Sequence, residues 1–344
     1  MSESLTIPPV EIYLDRIRGA LRLEPDPVLP GWAGLATLFG APALPFWEAS
    51  TDVIAAGVPY DATASSRPGA AEGPLAIRAA SRIMAWQLKS LGTERMYDTR
   101  TGKEFSYRHP SLCDVGDLPV YPSDALRTFD ALASRAAILA ERGKKLVFLG
   151  GDHSIAFPLF TGFSGAHRGD VDEVGYVQVD NHFDFGDRSA IHGHLYHGSN
   201  ARRISELPGF DPRRMAFVGV GHPTRLGQYQ GLLRDGYHIV PAAEIRRAGV
   251  TEALAPAISS LRRCRTIYLS IDIDVLDAAA APGTGAVTIG GLDPGTLLDI
   301  VEALAPLPIG AIDLVEVAPR YDPTGRTAQL AAHVLFELLF RVPT

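Results

Sequence analysis

The stretch Val174–Asp184, Val-Gly-Tyr-Val-Gln-Val-Asp-Asn-His-Phe-Asp, constrains this chain's fold more than any other. It opens as a largely apolar run to Val179 and closes on ligand-type side chains. A strand buried on both faces of a parallel sheet reads that way, with its chemistry at the carboxyl end. Asp180, His182 and Asp184 alternate, and in an extended backbone positions i, i+2 and i+4 face one way. The spacing predicts three metal-ligand side chains on one side of a strand exit. Two more predicted strands end similarly. Lys145–Leu149 runs into Gly150-Gly151-Asp152-His153-Ser154, and Thr266–Ile271 into Asp272-Ile273-Asp274.

The rest of the chain fits the same architecture. Further strands are predicted at Asp52–Val58, Arg214–Val220, Tyr237–Val240 and Ile309–Val317. Helices are predicted from Gly73-Pro74 to about Gln87, over Ser199–Leu207, Thr251–Arg262 and Thr327–Phe340, and from Pro294. Ser123 reads as the N-cap of a helix lined by Leu126, Phe129, Leu132, Ala136 and Leu139, with Gly143 ending it. An amphipathic helix is expected over Val10–Leu21. Leu91–Ser111 is polar without a clear period, and Leu112–Val120 fits a short strand or a loop. Strands alternating with helices predict an α/β fold, a parallel sheet with helices on both faces. Residues 1–50 read as an N-terminal extension and 51–344 as one catalytic domain.

Charge narrows the partners. The formal net charge is −7 with no basic block, which argues against nucleic acid and an anionic membrane surface. No apolar run approaches a membrane span, and Met1–Leu23 lacks the apolar core of a signal peptide. Cys113 and Cys264 make no disulfide framework, so a reducing cytoplasm is expected.

Adjacent parallel strands bring their ends within side-chain reach, so His153, Asp180, His182, Asp184, Asp272 and Asp274 are expected to converge. Four carboxylates in one site resist ionising together unless cations join them. Two divalent ions balance their charge. Oxygen-rich ligands with a little imidazole suit Mn²⁺ better than Zn²⁺, and Ni²⁺ also fits the set. A paired-metal site lowers the pKa of a shared water, so the residues point to metal-assisted hydrolysis.

These motifs resemble the arginase/agmatinase (ureohydrolase) family. Gly150–Ser154 is similar to its G-G-D-H-S, Asp180–Asp184 to D-A-H-x-D, Ser270–Asp277 to S-x-D-x-D-x-x-D, and Glu316–Pro319 to E-V-x-P. Gly57–Asp61, Arg67–Ala70, Gly73-Pro74 and Ala76–Arg78 resemble the agmatinase branch. Asn181 stands in place of the usual alanine, and Ala278 in place of the usual proline after Asp277. The resemblance implies an arginase-like three-layer fold, a dinuclear Mn²⁺ centre and a homo-oligomer, trimer or hexamer. By position, His153 and Asp184 would hold one ion, His182 and Asp274 the other, and Asp180 and Asp272 would bridge. Glu316 would hold the substrate guanidinium, His197 would carry a proton to the leaving amine, and Asp277 would support the site. The implied reaction is attack of hydroxide on the guanidinium carbon, releasing urea and an amine.

Two alternatives share that scaffold: hydrolysis of free guanidine, and of a formimino group. A protein that only binds ligand would be expected to lack some of the six ligands, and all are present. The loop Phe185–His194 lacks the Ser/Thr/Asn run with which arginases hold the amino-acid end of arginine. A smaller guanidinoalkyl compound is therefore expected, agmatine or a guanidino acid. Asp187 could face an ammonium and Arg188 a carboxylate, or the two could pair with each other. His192, His194 and His222 are weaker candidates to line the pocket, and His192 or His194 could replace His197 as the proton carrier.

Overall fold

Four runs of apolar residues make the centre of the molecule: Lys145–Leu149, Val174–Val179, Thr266–Asp272 and Ile309–Val315. Almost every residue in them is buried, as strands covered on both faces require. A computed structural model describes residues 36–91, 94–142, 145–166 and 173–343. The helix expected over Val10–Leu21 and the stop at Gly143 lie outside them.

In chain order the strands are β1 (Val53–Gly57), β2 (Arg95–Asp98), β3 (Lys103–Tyr107), β4 (Leu112–Asp117), β5 (Lys145–Leu149), β6 (Val174–Val179), β7 (Met215–Val218), β8 (His238–Val240), β9 (Thr266–Asp272), β10 (Ile309–Val315) and β11 (Arg341–Pro343). Eight of them form one parallel sheet in the order β4-β1-β5-β10-β9-β6-β7-β8. β5 and β6 are consecutive in that sheet's chain order, yet β10 and β9 lie between them. Such a reversal opens a crevice at the carboxyl ends of the strands. The register is level there: Leu149 faces Leu314, Val315 faces Asp272, and Ile271 faces Val179.

Alternation along the strands feeds two cores. Val147, Leu149, Val177, Val179, Leu269 and Ile271 point to one face. There they meet α1 (Gly73–Leu91) and, further along the chain, helices Val250–Leu261, Pro294–Leu304 and Arg326–Phe340. Phe148, Tyr176 and Tyr268 point to the other face, against α2 (Ala125–Arg142) and α3 (Ala156–Ala166). Phe160 of α3 packs edge-on to Tyr176 and Tyr268, with ring centroids 5.7 and 5.8 Å away. Burying each such ring stabilises the fold by about 1.5–3 kcal/mol. This is the three-layer α/β fold.

Local details differ from the expectations or settle what they left open. The cap of α2 is Asp124, whose side chain accepts from the Arg127 N–H; Ser123 lies one residue further out. Leu126, expected on the apolar face, is exposed. The stretch Leu91–Ser111 carries β2 and β3, which pair antiparallel with each other and, through β3, with β11. Leu112–Asp117 is the edge strand β4, parallel to β1. Leu38 and Phe39 belong to the core: Leu38 is buried, and the Phe39 ring stands edge-on to Phe336 and Phe340.

Candidate metal centre

The four central strands β5, β10, β9 and β6 each end in a titratable group. Gly150 and Gly151 let the chain leave β5 close to its neighbours. A Cβ on Gly150 would stand 2.7 Å from the Leu314 carbonyl oxygen, and one on Gly151 2.4 Å from that of Tyr60. No larger residue fits either place, and the turn delivers His153 beneath the sheet's crevice. After β6 and β9 the motifs share one device. Asp180 accepts a hydrogen bond from the His182 N–H at 2.6 Å, and Asp272 from the Asp274 N–H at 2.8 Å. Each first aspartate thus fixes the turn that aims its own neighbouring ligand.

The result is two overlapping groups, His153/Asp180/Asp184 and Asp180/His182/Asp274, each with ligand atoms within 4.8 Å of one another. His153 Nδ1 lies 3.2 Å from Asp180, 2.9 Å from Asp184 and 3.2 Å from Asp272. His182 Nδ1 lies 3.4 Å from Asp180 and 3.2 Å from Asp274. The six candidate ligands therefore stand together, with Asp180 in both groups.

Buried partners orient the set. Ser270 donates to Asp313 at 2.6 Å, which leaves its oxygen to accept from His153 Nε2 at 2.8 Å. Nδ1 of His153 then carries the lone pair, aimed at three carboxylates. Tyr268 donates to the other oxygen of Asp313 at 2.7 Å, and Gln178 donates to Asp180 at 2.7 Å. Asp184 and Glu316 hold left-handed backbone angles, φ 45° and 63°. Non-glycine residues rarely do so, and such outliers cluster where structure serves a site.

Electrostatics tests whether the set fits cations. Burial, with repulsion from Asp274 and Asp180, raises the Asp272 carboxyl well above the usual range. Burial and Asp180 push Asp274 up to about 7. Burial opposes a charge on His182, yet Asp180 and Asp274 outweigh it and raise the ring to about 12. The pocket thus demands positive charge between its carboxylates. His153 Nδ1 and Asp274 Oδ1 are also buried without hydrogen-bond partners, which ligand atoms of a metal ion would be. The residues fit a pair of divalent cations.

Glu316 and His197 flank this group. Glu316 Oε1 accepts from the His153 N–H at 2.9 Å and lies 3.3 Å from His197 Nδ1. Burial works against the charged His197 ring, and the Glu316 carboxylate overcomes it, raising the pKa to about 9. Arg67 ties the surrounding loops together: it donates to the Thr284 and Gly285 carbonyls at 2.8 and 3.2 Å and lies over the Tyr321 ring.

Other candidates stand further off. Asp277 accepts from the Ala279 and Gly290 N–H groups at 2.8 and 2.7 Å, so its carboxylate clasps the loop after β9. Asp187 pairs with Arg203 at 2.9 Å rather than with Arg188, which is exposed. His194 Nδ1 lies 3.0 Å from the Asp187 carbonyl oxygen, and the His192 N–H donates to Ser189. The His222 ring stands 4.9 Å from that of His182 and lines a cavity of about 230 Å³ beside the ligands. Asn181 is buried, and its carbonyl accepts from the N–H groups of Gly221 and His222. Ala278 donates its N–H to Thr288, a bond that proline could not make. Gln178, Ser270 and Asp313 had no role assigned from the sequence. Their one signal was polarity inside otherwise apolar strands.

Three comparisons bear on this geometry. A family model described as the arginase family matches residues 51–340. The mitochondrial agmatinase of Gallus gallus is 34% identical over 296 residues, 85% of this chain and 81% of that protein. The mitochondrial guanidino acid hydrolase of Homo sapiens is 33% identical over 296 residues, 85% of this chain and 78% of that protein. The solved structure of the proclavaminate amidino hydrolase from Streptomyces clavuligerus aligns with a TM-score of 0.76 at 28% identity, covering 90% of this chain and 98% of that one. The chain belongs to the arginase family and is a metal-dependent hydrolase of guanidino or amidino groups.

Proposed function

We propose that the protein hydrolyses a small guanidinoalkyl compound, agmatine or a guanidino acid such as guanidinobutyrate or guanidinopropionate, to urea and an amine. The observation that carries this reading is the largely buried cluster of six candidate ligands with Glu316 at its side. Relatives named agmatinase and guanidino acid hydrolase support the substrate class. The adjoining cavity supports it too. Phe183, Phe185, Tyr196, His222, Thr224 and Gln228 line it beside His182 and Asp184, walls that suit an alkyl tail.

In this reading His153 and Asp184 would hold one ion, His182 and Asp274 the other, and Asp180 and Asp272 would serve both. The oxygen-rich set favours Mn²⁺. When bound, the two cations neutralise the carboxylates and lower the pKa of water at the site. Glu316 accepts hydrogen bonds from the guanidinium and orients its carbon toward the cluster. His197, 3.3 Å from Glu316, carries a proton to the departing nitrogen.

The test is urea release by the Mn²⁺-loaded protein from agmatine, 4-guanidinobutyrate, 3-guanidinopropionate, guanidine and L-arginine. A guanidinoalkyl compound without the amino-acid end is expected to have the highest kcat/KM. Arginine ahead by tenfold would overturn the substrate reading. Formamide in place of urea from a formimino compound would overturn the bond assignment. Removing divalent ions is expected to abolish turnover, and adding Mn²⁺ to restore it.

A further inference from the structure

Ser65 lies in the loop after β1, 132 residues before His197. Its hydroxyl oxygen is 2.6 Å from His197 Nε2, and its backbone N–H donates to the same nitrogen at 3.2 Å. The opposite ring nitrogen, Nδ1, faces Glu316. The imidazole is therefore strung between a serine and the carboxylate beside the cluster.

The two ends of the ring have different chemistry. An amide N–H only donates, so Nε2 accepts and the neutral ring carries its proton on Nδ1, toward Glu316. A ring with two protons needs an acceptor at Nε2. The Ser65 hydroxyl can rotate and serve in either sense, giving its proton to a bare nitrogen or accepting from N–H. The His197 side chain is only 19% exposed, which limits the help water can give.

The loop is anchored independently of that hydroxyl. The Thr63 N–H and hydroxyl both donate to Asp152, at 2.9 and 2.8 Å. Asp61 accepts from the Gly69 N–H at 2.6 Å. Ser65 sits between these anchors, and Asp152 adjoins His153.

We propose that Ser65 is a positioning residue for His197, its hydroxyl holding Nε2 in both protonation states so that Nδ1 stays aimed at the site beside Glu316. The proposal rests on the reading of His197 as the proton carrier. It adds a residue from a part of the chain that contributes none of the six candidate ligands.

The test uses the metal-loaded protein and the variants Ser65→Ala, Ser65→Thr, Ser65→Val, His197→Ala and Ser65→Ala with His197→Ala. For each, kcat, KM, metal per chain and thermal midpoint are measured. Ser65→Ala is expected to lower kcat about tenfold, the effect of one lost hydrogen bond, with KM and metal content unchanged. Thr is expected to restore most of kcat and Val, its near-isostere without the hydroxyl, to fail. In the His197→Ala background, Ser65→Ala should change kcat by less than about twofold. An unchanged kcat in Ser65→Ala, with His197→Ala crippled, overturns the Ser65 proposal and leaves the His197 reading standing. A His197→Ala variant at full rate overturns that reading itself. Equal losses in both backgrounds, or Val matching Thr, would mean that Ser65 does not act through His197.

Discussion

The cluster at the strand ends and the charged loop beside it draw on the same residue types under opposite conditions. In the cluster, His153 and Asp180 are buried, and their neighbours' ionisation is displaced far from ordinary values. In the loop, the Asp187 side chain is 57% exposed and that of His194 55%, while the Arg203 side chain beneath them is only 12% exposed. Arg203 beside it holds the Asp187 carboxyl below its usual value. Solvent screens such pairs, whereas a buried group of like charges must find a counter-charge or fail to ionise. Burial makes one set a demand for cations and leaves the other a surface network.

The largest break in this contrast is expected from the shared aspartates. Asp180→Ala or Asp272→Ala should lose several orders of magnitude in kcat, together with bound metal, read by turnover and elemental analysis. Near-normal turnover in the Asp272 variant would remove it from the centre. His197→Ala comes next, with kcat lower by about 10²–10⁴-fold and metal content intact. If His192→Ala or His194→Ala gave that loss instead, the proton carrier would lie in the surface loop.

Asp313→Asn sharpens the comparison from beneath the cluster. It disturbs the acceptor that orients Ser270 and, through it, His153. Metal affinity, measured by competition with a chelator, is expected to fall about 10–100-fold. A smaller effect is expected far from the crevice. Burial opposes the charge on Asp98, but Arg341 and neighbouring donors outweigh it and hold the carboxyl at about 2. Its stabilising contribution is full above the ordinary carboxylate pKa of about 4 and is lost as pH falls through about 2. Asp98→Asn should therefore cost about 1–2 kcal/mol at pH 7 in denaturant unfolding, a gap that closes toward pH 2. The smallest change is expected from Arg188→Ala, with KM for agmatine and guanidino acids shifting equally and by less than about twofold. A rise confined to guanidino acids would bring Arg188 into the substrate site.

The central sheet was legible because strands buried on both faces read as apolar runs, and the ligands were the polar residues that closed them. The pair β2 and β3 was not legible. Arg95–Asp98 and Lys103–Tyr107 are short and mix charged with aromatic residues, and of their side chains only Phe105 is buried, so no clear period marks them. Capping failed by one position because Ser123 and Asp124 are both good caps. The resemblance gave Asp277 a supporting place, and which atoms it holds, the N–H groups of Ala279 and Gly290, shows only in the folded loop. Ser65 left no trace at all, since its partner His197 is distant in sequence and only the folded loop joins them.

The interleaving of the sheet also sets a timetable. β5 and β6 emerge early in synthesis, but the strands that separate them, β9 and β10, end at residues 272 and 315. At 5–20 residues per second, a ribosome needs on the order of 10 s to make the missing pieces. Through that interval the strands that would hold His153 and the Asp180 group beside each other are missing, and one apolar edge of each of β5 and β6 waits without its neighbour. A nascent chain of this protein is therefore exposed to mispairing for longer than a fold whose neighbouring strands are also neighbours in sequence. The six candidate ligands can converge only once β9, which carries Asp272 at its end, has entered the gap.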